Sequence, residues 1–527
     1  MAKQFNTAGI CIPERNYMVE VKCKMDVIVK DYIDAGKYVT ISRARQYGKT
    51  TMLYLLEQVL KTRYLVLRLS FEAADEMFVS LYSFATGFVR RISRILKTQD
   101  VAQGILDDWH QPVSEQFPFD ELSERITSLC CHSDKPVILM IDEVDKSSDN
   151  QVFLSFLGLL RNKYLEQMQK NDNTFQSVVL AGVYDIKNLK SKFRPAGEQK
   201  YNSPWNIAVD FDVDMSFSAE EIETMLRAYE EDHHTGMDVS YVSRLIYEYT
   251  SGYPYLVSRL CQLADERLAG TEAFPENQEV WTQEGIVAAE LMLRRQSGTL
   301  FDDLIKKLAD FPKLKKMVQD ILFCGRRYPF ERDNYLIDLG VTFGFFKENN
   351  GVVAIGNRIF ETKLYDLFLS EMLLEDTLGQ TELMERNQFI ADGMLQMNLV
   401  MEKFYQYFTE IYADSDQKFI ELQGRKIFLL YLKPIINGTG NYYIEAQTRD
   451  ARRTDIIVDY RGRQHIIELK IWRGDEYHQR GEQQLFEYLD YYGTETGYLL
   501  SFNFNQHKKT GIQEISYGGK RIVEVVV

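Results

Sequence analysis

One stretch near the N-terminus, residues 38–56, constrains the fold of this chain more than any other. It reads YVTISRARQYGKTTMLYLL: a short apolar strand runs into a turn, and a helix follows. Backbone N–H groups of such a turn can surround phosphates, while a lysine supplies positive charge and a threonine hydroxyl ligates Mg²⁺. The stretch therefore predicts a phosphate-binding loop. Its expected nucleotide-binding residues are Gly48, Lys49, Thr50 and Thr51, with Thr50 also on the metal.

The match to the phosphate-loop pattern is incomplete. The full pattern places a glycine five residues before the Gly-Lys pair, and Arg43 occupies that position. The alternative interpretation is that the Gly-Lys-Thr sequence only begins a helix, with Thr50 near its N-terminus.

Composition bounds the kind of protein. A chain of 527 residues is long enough for about two to four domains. The formal charge of −15 argues against a globally basic nucleic-acid coat but leaves room for a local basic groove. Six scattered cysteines without a CxxC pair favour reduced thiols over zinc ligands or disulfides. Without a signal-peptide pattern or a long apolar run, we expect a cytoplasmic protein with no membrane partner.

A second informative stretch, residues 135–145, reads KPVILMIDEVD. Its apolar run predicts a strand buried on both faces, and two carboxylates follow at the end where open α/β sheets bind ligands. Asp142 is the expected Mg²⁺ ligand, and Glu143 is the expected general base that polarises the attacking water. Ordinary strand-end polarity is the alternative.

The chain alternates strand and helix patterns from residue 38 to residue 183, which predicts a parallel sheet covered by helices. A third strand ends just before Tyr184 and Asp185, either of which is placed to sense a γ-phosphate. Arg194 lies in the next loop and would suit an arginine finger acting across a subunit boundary. That role leaves a homo-oligomer open. Ordinary strand-end polarity explains Tyr184 and Asp185 at least as well.

From residue 217 onward, helical periods dominate to about residue 295. Ser218 is a predicted N-cap with Glu221 as its capping-box partner. Gly252 and Pro254 form a turn that enters the next helix, which carries Arg259. The alternative for this arginine is a plain surface position.

Together, SRARQYGKTTML, VILMIDEVD and the Gly-Tyr-Pro turn resemble the AAA-like ATPase family of bacteria and archaea, over about residues 5–290. The resemblance implies ATP as the ligand, a helical lid, and a nucleotide contact for Arg259. The first glycine of the loop is often missing in that family, so Arg43 counts less against nucleotide binding.

Residues 299–372 read as helices followed by a hairpin with an Asn-Asn-Gly turn, which is a winged-helix pattern. Such domains can bind DNA. This one lacks a dense Lys/Arg recognition helix, which favours a structural or coupling role. An acidic linker, residues 373–388, follows.

Residues 389–527 begin with a predicted helix from Phe389 to Phe408 and a second helix starting near Lys418. Strands then carry Asp455, Glu468 and Lys470. Because side chains alternate along a strand, Glu468 and Lys470 share one face. Two acids and a lysine suit phosphodiester hydrolysis: the carboxylates would hold Mg²⁺ or Mn²⁺, and the lysine would orient water and offset negative charge.

This arrangement resembles the PD-(D/E)XK nuclease superfamily in its αβββαβ order. The resemblance implies catalytic roles for Asp455, Glu468 and Lys470, with the two acids as metal ligands. Gln484 matches a helix glutamine of several branches, and Glu421 is a candidate extra acid. Six arginines are expected to crowd the site and meet a phosphate backbone, namely Arg449, Arg452, Arg453, Arg461, Arg463 and Arg473. Satisfied surface charges are the alternative.

The sequence thus predicts an α/β protein in five segments: an AAA-like P-loop core (1–216), a helical lid (217–298), a winged-helix-like connector (299–372), a linker (373–388) and a restriction-endonuclease-like domain (389–527). The expected function is an ATPase coupled to a metal-dependent nuclease acting on DNA. The competing hypotheses are a nucleotide-dependent switch or scaffold whose nuclease-like domain binds without cutting, and a signalling ATPase without nucleic acid.

Overall fold

The structure is a computed structural model. The chain divides into two compact units. The described residues are 3–144, 150–183, 205–324, 326–375, 389–391, 393–412, 421–436, 440–447, 453–461, 463–472, 475–503 and 510–527. The first unit comprises Met1–Lys307, Glu331–Lys347 and Gly356–Arg358, and the second comprises Leu308–Phe330, Glu348–Ile355 and Ile359–Val527. Among the described residues, no helix combines the length and apolar character needed to span a membrane.

The first unit opens with two short parallel strands and then alternates strands with helices. In chain order its first elements are β1 (Gln4–Phe5), β2 (Asn16–Tyr17), α1 (Lys22–Ile28), a π-helical turn (Val29–Ile33), β3 (Tyr38–Ser42), α2 (Lys49–Leu60), β4 (Leu65–Ser70), a 3₁₀ turn (Asp75–Val79), α3 (Leu81–Leu96), α4 (Gln103–His110), α5 (Pro118–His132), β5 (Val137–Asp142), α6 (Gln151–Met168) and β6 (Ser177–Gly182).

Strands β3, β6, β5 and β4, in that spatial order, form a sheet in which every pairing is parallel. Apolar cores cover both faces, which explains why β5 and β6 are buried along their whole length. The carboxyl ends of β3 and β5 therefore meet at one edge with β6 between them. The predicted parallel P-loop sheet is confirmed.

The helical lid follows the sheet. Its elements are α7 (Ala219–His233), α8 (Val239–Thr250), α9 (Pro254–Leu263), a π-helical turn (Ala264–Leu268), a 3₁₀ turn (Asn277–Trp281) and α10 (Gln283–Arg295). The predicted capping box at Ser218 and Glu221 is present at the start of α7. Gly252 has a φ of +72°, and a Cβ atom there would lie 1.8 Å from the carbonyl oxygen of Phe217. Only glycine fits this turn.

The next segment has the order of helices and hairpin that the sequence predicts. Its elements are α11 (Thr299–Asp310), α12 (Pro312–Cys324), α13 (Tyr335–Thr342), β7 (Phe346–Asn349), β8 (Val352–Ile355) and α14 (Arg358–Glu375).

The C-terminal part of the second unit is a mixed α/β fold. Its elements are β9 (Ile390–Ala391), β10 (Met394–Leu395), α15 (Met397–Tyr412), α16 (Glu421–Ile436), β11 (Gly440–Gln447), β12 (Arg453–Tyr460), β13 (Arg463–Ile471), α17 (Asp475–Tyr491), β14 (Thr496–Phe502), β15 (Gly511–Tyr517) and β16 (Lys520–Val526). The helix predicted to start at Phe389 starts instead at Met397. The reason is a small hairpin of β9 and β10, where Gly393 has a φ of +74°.

Six strands form its sheet in the order β11, β12, β13, β14, β16, β15. Strand β12 pairs antiparallel with both β11 and β13. Strand β14 lies between β13 and β16 and pairs parallel with both. Side chains of α15 and α16 pack on one face, and side chains of α17 pack on the other. Along β13, Ile467 and Leu469 belong to the first core and Ile466 to the second. Glu468 and Lys470 alternate with the former, so they lie on the α17 face.

Candidate functional site

The phosphate-binding loop joins β3 to α2, and its lysine is directed into the loop. Gly48 precedes α2 with a φ of 81°, a left-handed conformation that glycine adopts without strain. The Nζ atom of Lys49 donates hydrogen bonds to the carbonyl oxygens of Arg43 and Ala44, each at 2.9 Å. Lys49 is also buried. Its charge is therefore held within the loop and away from bulk solvent.

Two predicted metal ligands come together at the edge of this sheet. The Oγ1 atom of Thr50 donates to Oδ2 of Asp142 at 2.6 Å, across 92 positions of the chain. The second oxygen, Oδ1, accepts the backbone N–H of Glu143 at 2.9 Å. Hydroxyl and carboxylate oxygens are the ligands that Mg²⁺ prefers. The pair thus presents a suitable donor set for the magnesium of a bound nucleotide.

Glu143, the predicted general base, follows β5 directly and has a φ of 58°. Residues other than glycine rarely adopt this left-handed backbone conformation, which costs about 1–3 kcal/mol and recurs at functional sites. The strain agrees with a functional position for Glu143, and its role as base stays a prediction.

Arg43 stands where the phosphate-loop pattern expects glycine, and its side chain is anchored to residues 211–213. One guanidinium nitrogen donates to the carbonyl oxygen of Val213 at 3.1 Å and to that of Phe211 at 3.4 Å. The guanidinium carbon also lies 5.7 Å from the centre of the Phe211 ring. The arginine therefore packs against this segment, where a cation–π contact and two carbonyls stabilise it.

A cavity of about 370 Å³ adjoins the loop. Three parts of the first unit line it: the N-terminal segment contributes Asn6, Thr7, Ala8, Gly9, Cys11, Tyr17, Met18, Val19 and Val21, the loop and α2 contribute Gln46, Tyr47, Gly48, Thr51, Met52 and Leu55, and the remaining residues are Met215, Phe217, Pro254, Tyr255, Ser258 and Thr299. Concave, mainly apolar sites of this size suit a small ligand. The cavity is therefore large enough and apolar enough for a nucleoside beside the phosphate loop.

Hydrogen bonds hold the N-terminal wall of this cavity to both of its other walls. The backbone N–H of Cys11 donates to Oγ1 of Thr51 at 3.2 Å. The hydroxyl of Thr7 donates to Oε1 of Gln262 on α9 at 3.0 Å. Sequence analysis did not assign this wall, because residues 6–15 form neither helix nor strand. The structure also shows that Thr51, a predicted nucleotide-binding residue, faces the cavity.

Arg259 neighbours Ser258, which lines the cavity. Its two terminal nitrogens donate to Oε1 of Gln262 and to Oε1 of Gln296, each at 2.7 Å. The predicted nucleotide contact of Arg259 stays a prediction. The other proposed phosphate contacts, Tyr184, Asp185 and Arg194, lie outside the described residues.

The second candidate site is in the C-terminal sheet, where Asp455 lies on β12 just before the first residue that pairs with β13. The ladder between these strands reaches Ile456 and Ile467. One step further, Oδ2 of Asp455 accepts the backbone N–H of Leu469 at 2.8 Å. The other oxygen, Oδ1, accepts a hydrogen bond of 3.0 Å from Arg425 on α16. Both residues of this ion pair are buried.

Glu468 and Lys470 form an ion pair on β13, with 2.7 Å between Nζ and Oε1. Glu468 is fully buried, and its Oε2 atom has no hydrogen-bond partner among the residues that the structure describes. Burial, followed by the negative charge of Asp455, raises the pKa of Glu468 to about 8, against the opposing effect of Lys470. The structure therefore brings Asp455, Glu468 and Lys470 together, and their catalytic roles stay a prediction.

Helix α17 covers this group of residues. A Cβ atom at Gly481 would lie 3.3 Å from Cγ of Lys470, so the glycine lets the helix approach the lysine stem. Gln484, one turn further on, donates from Nε2 to the hydroxyl of Tyr488 at 2.8 Å. Ser501 pairs with Lys470 across β13 and β14, and its buried hydroxyl has no partner in the described part of the chain. Sequence analysis had not identified Ser501 or Arg425.

The arginine cluster that the sequence predicts around the acids is not formed by the two arginines whose side chains are described. Arg461 and Arg463 are exposed at the turn between β12 and β13. Glu468 lies five residues beyond Arg463, a distance of about 17 Å along an extended strand. The prediction was wrong for this pair because the turn that carries Arg461 and Arg463 lies at the opposite end of β12 and β13 from the acids. Arg449, Arg452 and Arg473 lie outside the described residues, as do the side chains of Arg453 and Glu421.

The donor set of the second site fits a divalent cation. Two carboxylates converge there, and a buried oxygen of Glu468 that has no partner among the described residues is typical of a cation ligand. No group of three or more His, Cys, Asp or Glu side chains that could hold a metal ion occurs within the described part of the chain. Beside one or two carboxylates, Mg²⁺ commonly takes water and substrate oxygens as further ligands.

Two protein families match the chain. The family described as AAA-like domain matches residues 13–316, and the PD-(D/E)XK nuclease superfamily matches residues 440–515. Both resemblances that the sequence suggested are confirmed. A comparison with curated protein sequences gives no match.

Several solved structures of archaeal proteins are similar at low sequence identity. The Walker-type ATPase of Pyrococcus abyssi is 13% identical with a TM-score of 0.45, covering 68% of this chain and 99% of its own. The ORC2 protein of Aeropyrum pernix, in ADPNP-ADP complexes, is 11% identical with a TM-score of 0.39, covering 70% and 98%. The ORC1 protein of the same organism, in complex with DNA, is 12% identical with a TM-score of 0.32, covering 85% and 92%.

The AAA-like match covers more than half of the 527 residues and includes the phosphate loop, Asp142 and the lid turn. The nuclease-superfamily match includes Asp455, Glu468 and Lys470. The chain therefore belongs to the AAA-like domain family and carries a C-terminal domain of the PD-(D/E)XK nuclease superfamily.

Proposed function

We propose that this protein binds and hydrolyses ATP and cuts DNA phosphodiester bonds in a metal-dependent reaction. The observation that carries the proposal is the presence of two separate acidic sites. Thr50 and Asp142 meet beside a buried loop lysine, and Asp455 and Glu468 meet beside Lys470. Each group has the side chains that phosphate chemistry requires.

At the first site, the loop N–H groups and Lys49 would bind the β- and γ-phosphates of ATP, with the base in the adjoining cavity. Thr50 and Asp142 would hold the Mg²⁺ of the nucleotide. Glu143 would accept a proton from the attacking water, since a carboxylate at this strand end can orient and polarise it. Arg259 would contact the nucleotide if its two glutamine partners released it.

At the second site, Asp455 and Glu468 would hold Mg²⁺ or Mn²⁺, which polarises the scissile phosphodiester and lowers the pKa of a bound water. Lys470 would orient the attacking water and offset the negative charge that develops on the phosphoryl oxygens. Gln484 and Tyr488 on α17 would flank the substrate beside the lysine. The chemistry of the donor set supports a phosphodiester substrate, and the nuclease-superfamily match supports nucleic acid.

The test uses the full chain with circular and linear DNA, with and without ATP, Mg²⁺ and Mn²⁺. We expect metal-dependent cleavage that Lys470→Ala abolishes while ATP hydrolysis continues. Lys403→Ala is the matched control in the same unit, because Lys403 bonds to Gln406 on α15, away from the acids. Glu143→Gln should retain ATP binding and lose hydrolysis.

Two results would favour the competing hypotheses. Absence of cleavage of DNA and RNA under every metal and nucleotide condition, with DNA still bound, would support a nucleotide-dependent scaffold. Absence of DNA binding even at low salt, where phosphate contacts are strongest, would support a signalling ATPase without nucleic acid.

A further inference from the structure

Within the second unit, helix α16 contacts two helices of the winged-helix-like connector, α12 and α14, and also carries a residue of the nuclease-like site. On α14, the buried hydroxyl of Tyr365 donates to the carbonyl oxygen of Leu429 at 2.8 Å. Helix α12 also packs against α16. Leu429 lies one helical turn after Arg425, and residues four apart share one face of a helix. The turn that carries Arg425 is therefore held by the connector.

Arg425 in turn contacts an acid of the candidate metal site. Its guanidinium donates to Oδ1 of Asp455 at 3.0 Å, and both side chains are nearly inaccessible to solvent, at 6% and 12% exposed. A buried arginine needs a carboxylate partner, and charges at this distance interact strongly because little water screens them. The same carboxylate is a proposed ligand of a divalent cation. The guanidinium and the cation thus compete for Asp455.

We propose that Arg425 is a positioning residue that limits the metal affinity of Asp455, and that Tyr365 of the connector sets its position through α16. The inference rests on the proposed metal-dependent function of this site. When Tyr365 of α14 is bonded to α16, the guanidinium of Arg425 contacts Asp455. Its positive charge then disfavours binding of a cation by the same carboxylate. A displacement of α14 that moved this turn of α16 would free Oδ1 for the cation. The connector would then control the nuclease through metal occupancy.

The experiment measures the Kd of Mn²⁺ for the full chain by calorimetry at one fixed pH of about 8, so that all variants are compared under the same condition. All proteins carry Asp142→Asn, which removes the acid of the nucleotide site. Arg425→Gln should bind Mn²⁺ about tenfold more tightly than the parent, a modest estimate for removing one adjacent charge. Arg425→Lys, which retains the charge, should stay within about threefold of the parent.

Tyr365→Phe tests the role of the connector and removes a single oxygen atom. Its effect on the Kd of Mn²⁺ in the parent can be measured even if Arg425→Gln does not fold. It should tighten Mn²⁺ binding about threefold in the parent and have no effect in the Arg425→Gln protein, because effects through one shared route are not additive. Thermal unfolding of each protein checks that the fold is retained.

Three results would overturn the inference. Folded Arg425→Gln could bind Mn²⁺ no more tightly than the parent, Tyr365→Phe could leave the Kd unchanged, or Tyr365→Phe could act equally in both backgrounds. A different result addresses the proposed function itself: if Glu468→Gln leaves Mn²⁺ binding unchanged, the metal does not bind at this site, and both proposals fail.

Discussion

Metal binding at the nuclease-like site should release a proton, because Glu468 is buried beside a second acid. Burial and the charge of Asp455 raise the pKa of Glu468 to about 8 from its ordinary 4.5. At about pH 7, below that pKa, most of the molecules carry the proton. A metal ligand must be ionised. Mn²⁺ binding at about pH 7 should therefore release a proton from Glu468 in most of the molecules.

The sign of the pH dependence follows from the same shift. Because the proton must leave before the metal binds, affinity should rise with pH, and Kd should fall about tenfold between about pH 7 and about pH 9. Stability of the metal-free protein should move in the opposite direction. The folded-state pKa exceeds the unfolded value, so the folded state binds more protons, and stability falls as pH rises from about 4.5 to about 8.

Calorimetry of the Asp142→Asn protein in two buffers of different ionisation enthalpy measures the proton release. The slope of apparent binding enthalpy against buffer ionisation enthalpy gives the number of protons. Glu468→Gln is the control, since glutamine cannot release a proton and ligates the cation weakly. A slope near zero together with a Kd independent of pH would refute the argument, because Glu468 would then be either ionised at neutral pH or absent from the metal site.

Three further substitutions test the fold around the sites. Arg43→Ala should lower the free energy of unfolding by about 1–2 kcal/mol through lost hydrogen bonds and leave ATP affinity, measured by calorimetry, unchanged; a clear loss of affinity would show that Arg43 serves the nucleotide. Gly252→Ala should destabilise by about 3 kcal/mol or more in urea unfolding, since its Cβ would overlap the Phe217 carbonyl; a stable variant would contradict the tight turn. Ser501→Ala should not lower stability, because the buried hydroxyl has no partner among the described side chains and backbone groups; destabilisation beyond about 1 kcal/mol would reveal a partner.

The nucleotide site was predictable because its parts are local patterns. The strand before Lys49 and the apolar strand before Asp142 are recognisable from a few residues each, and parallel strands bring their carboxyl ends to one edge. The sequence does not contain the spatial order that puts β6 between β3 and β5. In the sequence, Arg43 is simply a departure from the glycine that the loop pattern expects. Only the three-dimensional packing against residues 211–213 reveals where its side chain is held.

The N-terminal wall of the cavity was not predictable on the same grounds. Its flanking strands, β1 and β2, have two residues each, which is too short for a periodic pattern. The wall depends on long-range bonds, such as that of Thr7 with Gln262, 255 positions away. The C-terminal hairpin of β15 and β16 was not predicted for a related reason. Strand β16 pairs with β14, and local sequence patterns do not specify which strands pair.

Arg425 shows what a sequence pattern can and cannot determine. Phe428, Leu429 and Leu432 follow it at spacings of three, four and seven, so the arginine lies on the apolar stripe of its helix, and all three are buried. A charge on such a stripe predicts a buried partner of opposite charge, because an unpaired buried guanidinium would be strongly destabilising. Helical periodicity therefore indicates that a carboxylate lies nearby. It cannot select Asp455 from the other acids, because that choice depends on how the start of β12 meets α16. The pairing of the predicted metal ligand Asp455 with the buried Arg425 can therefore be identified only when the arrangement of the sheet is known.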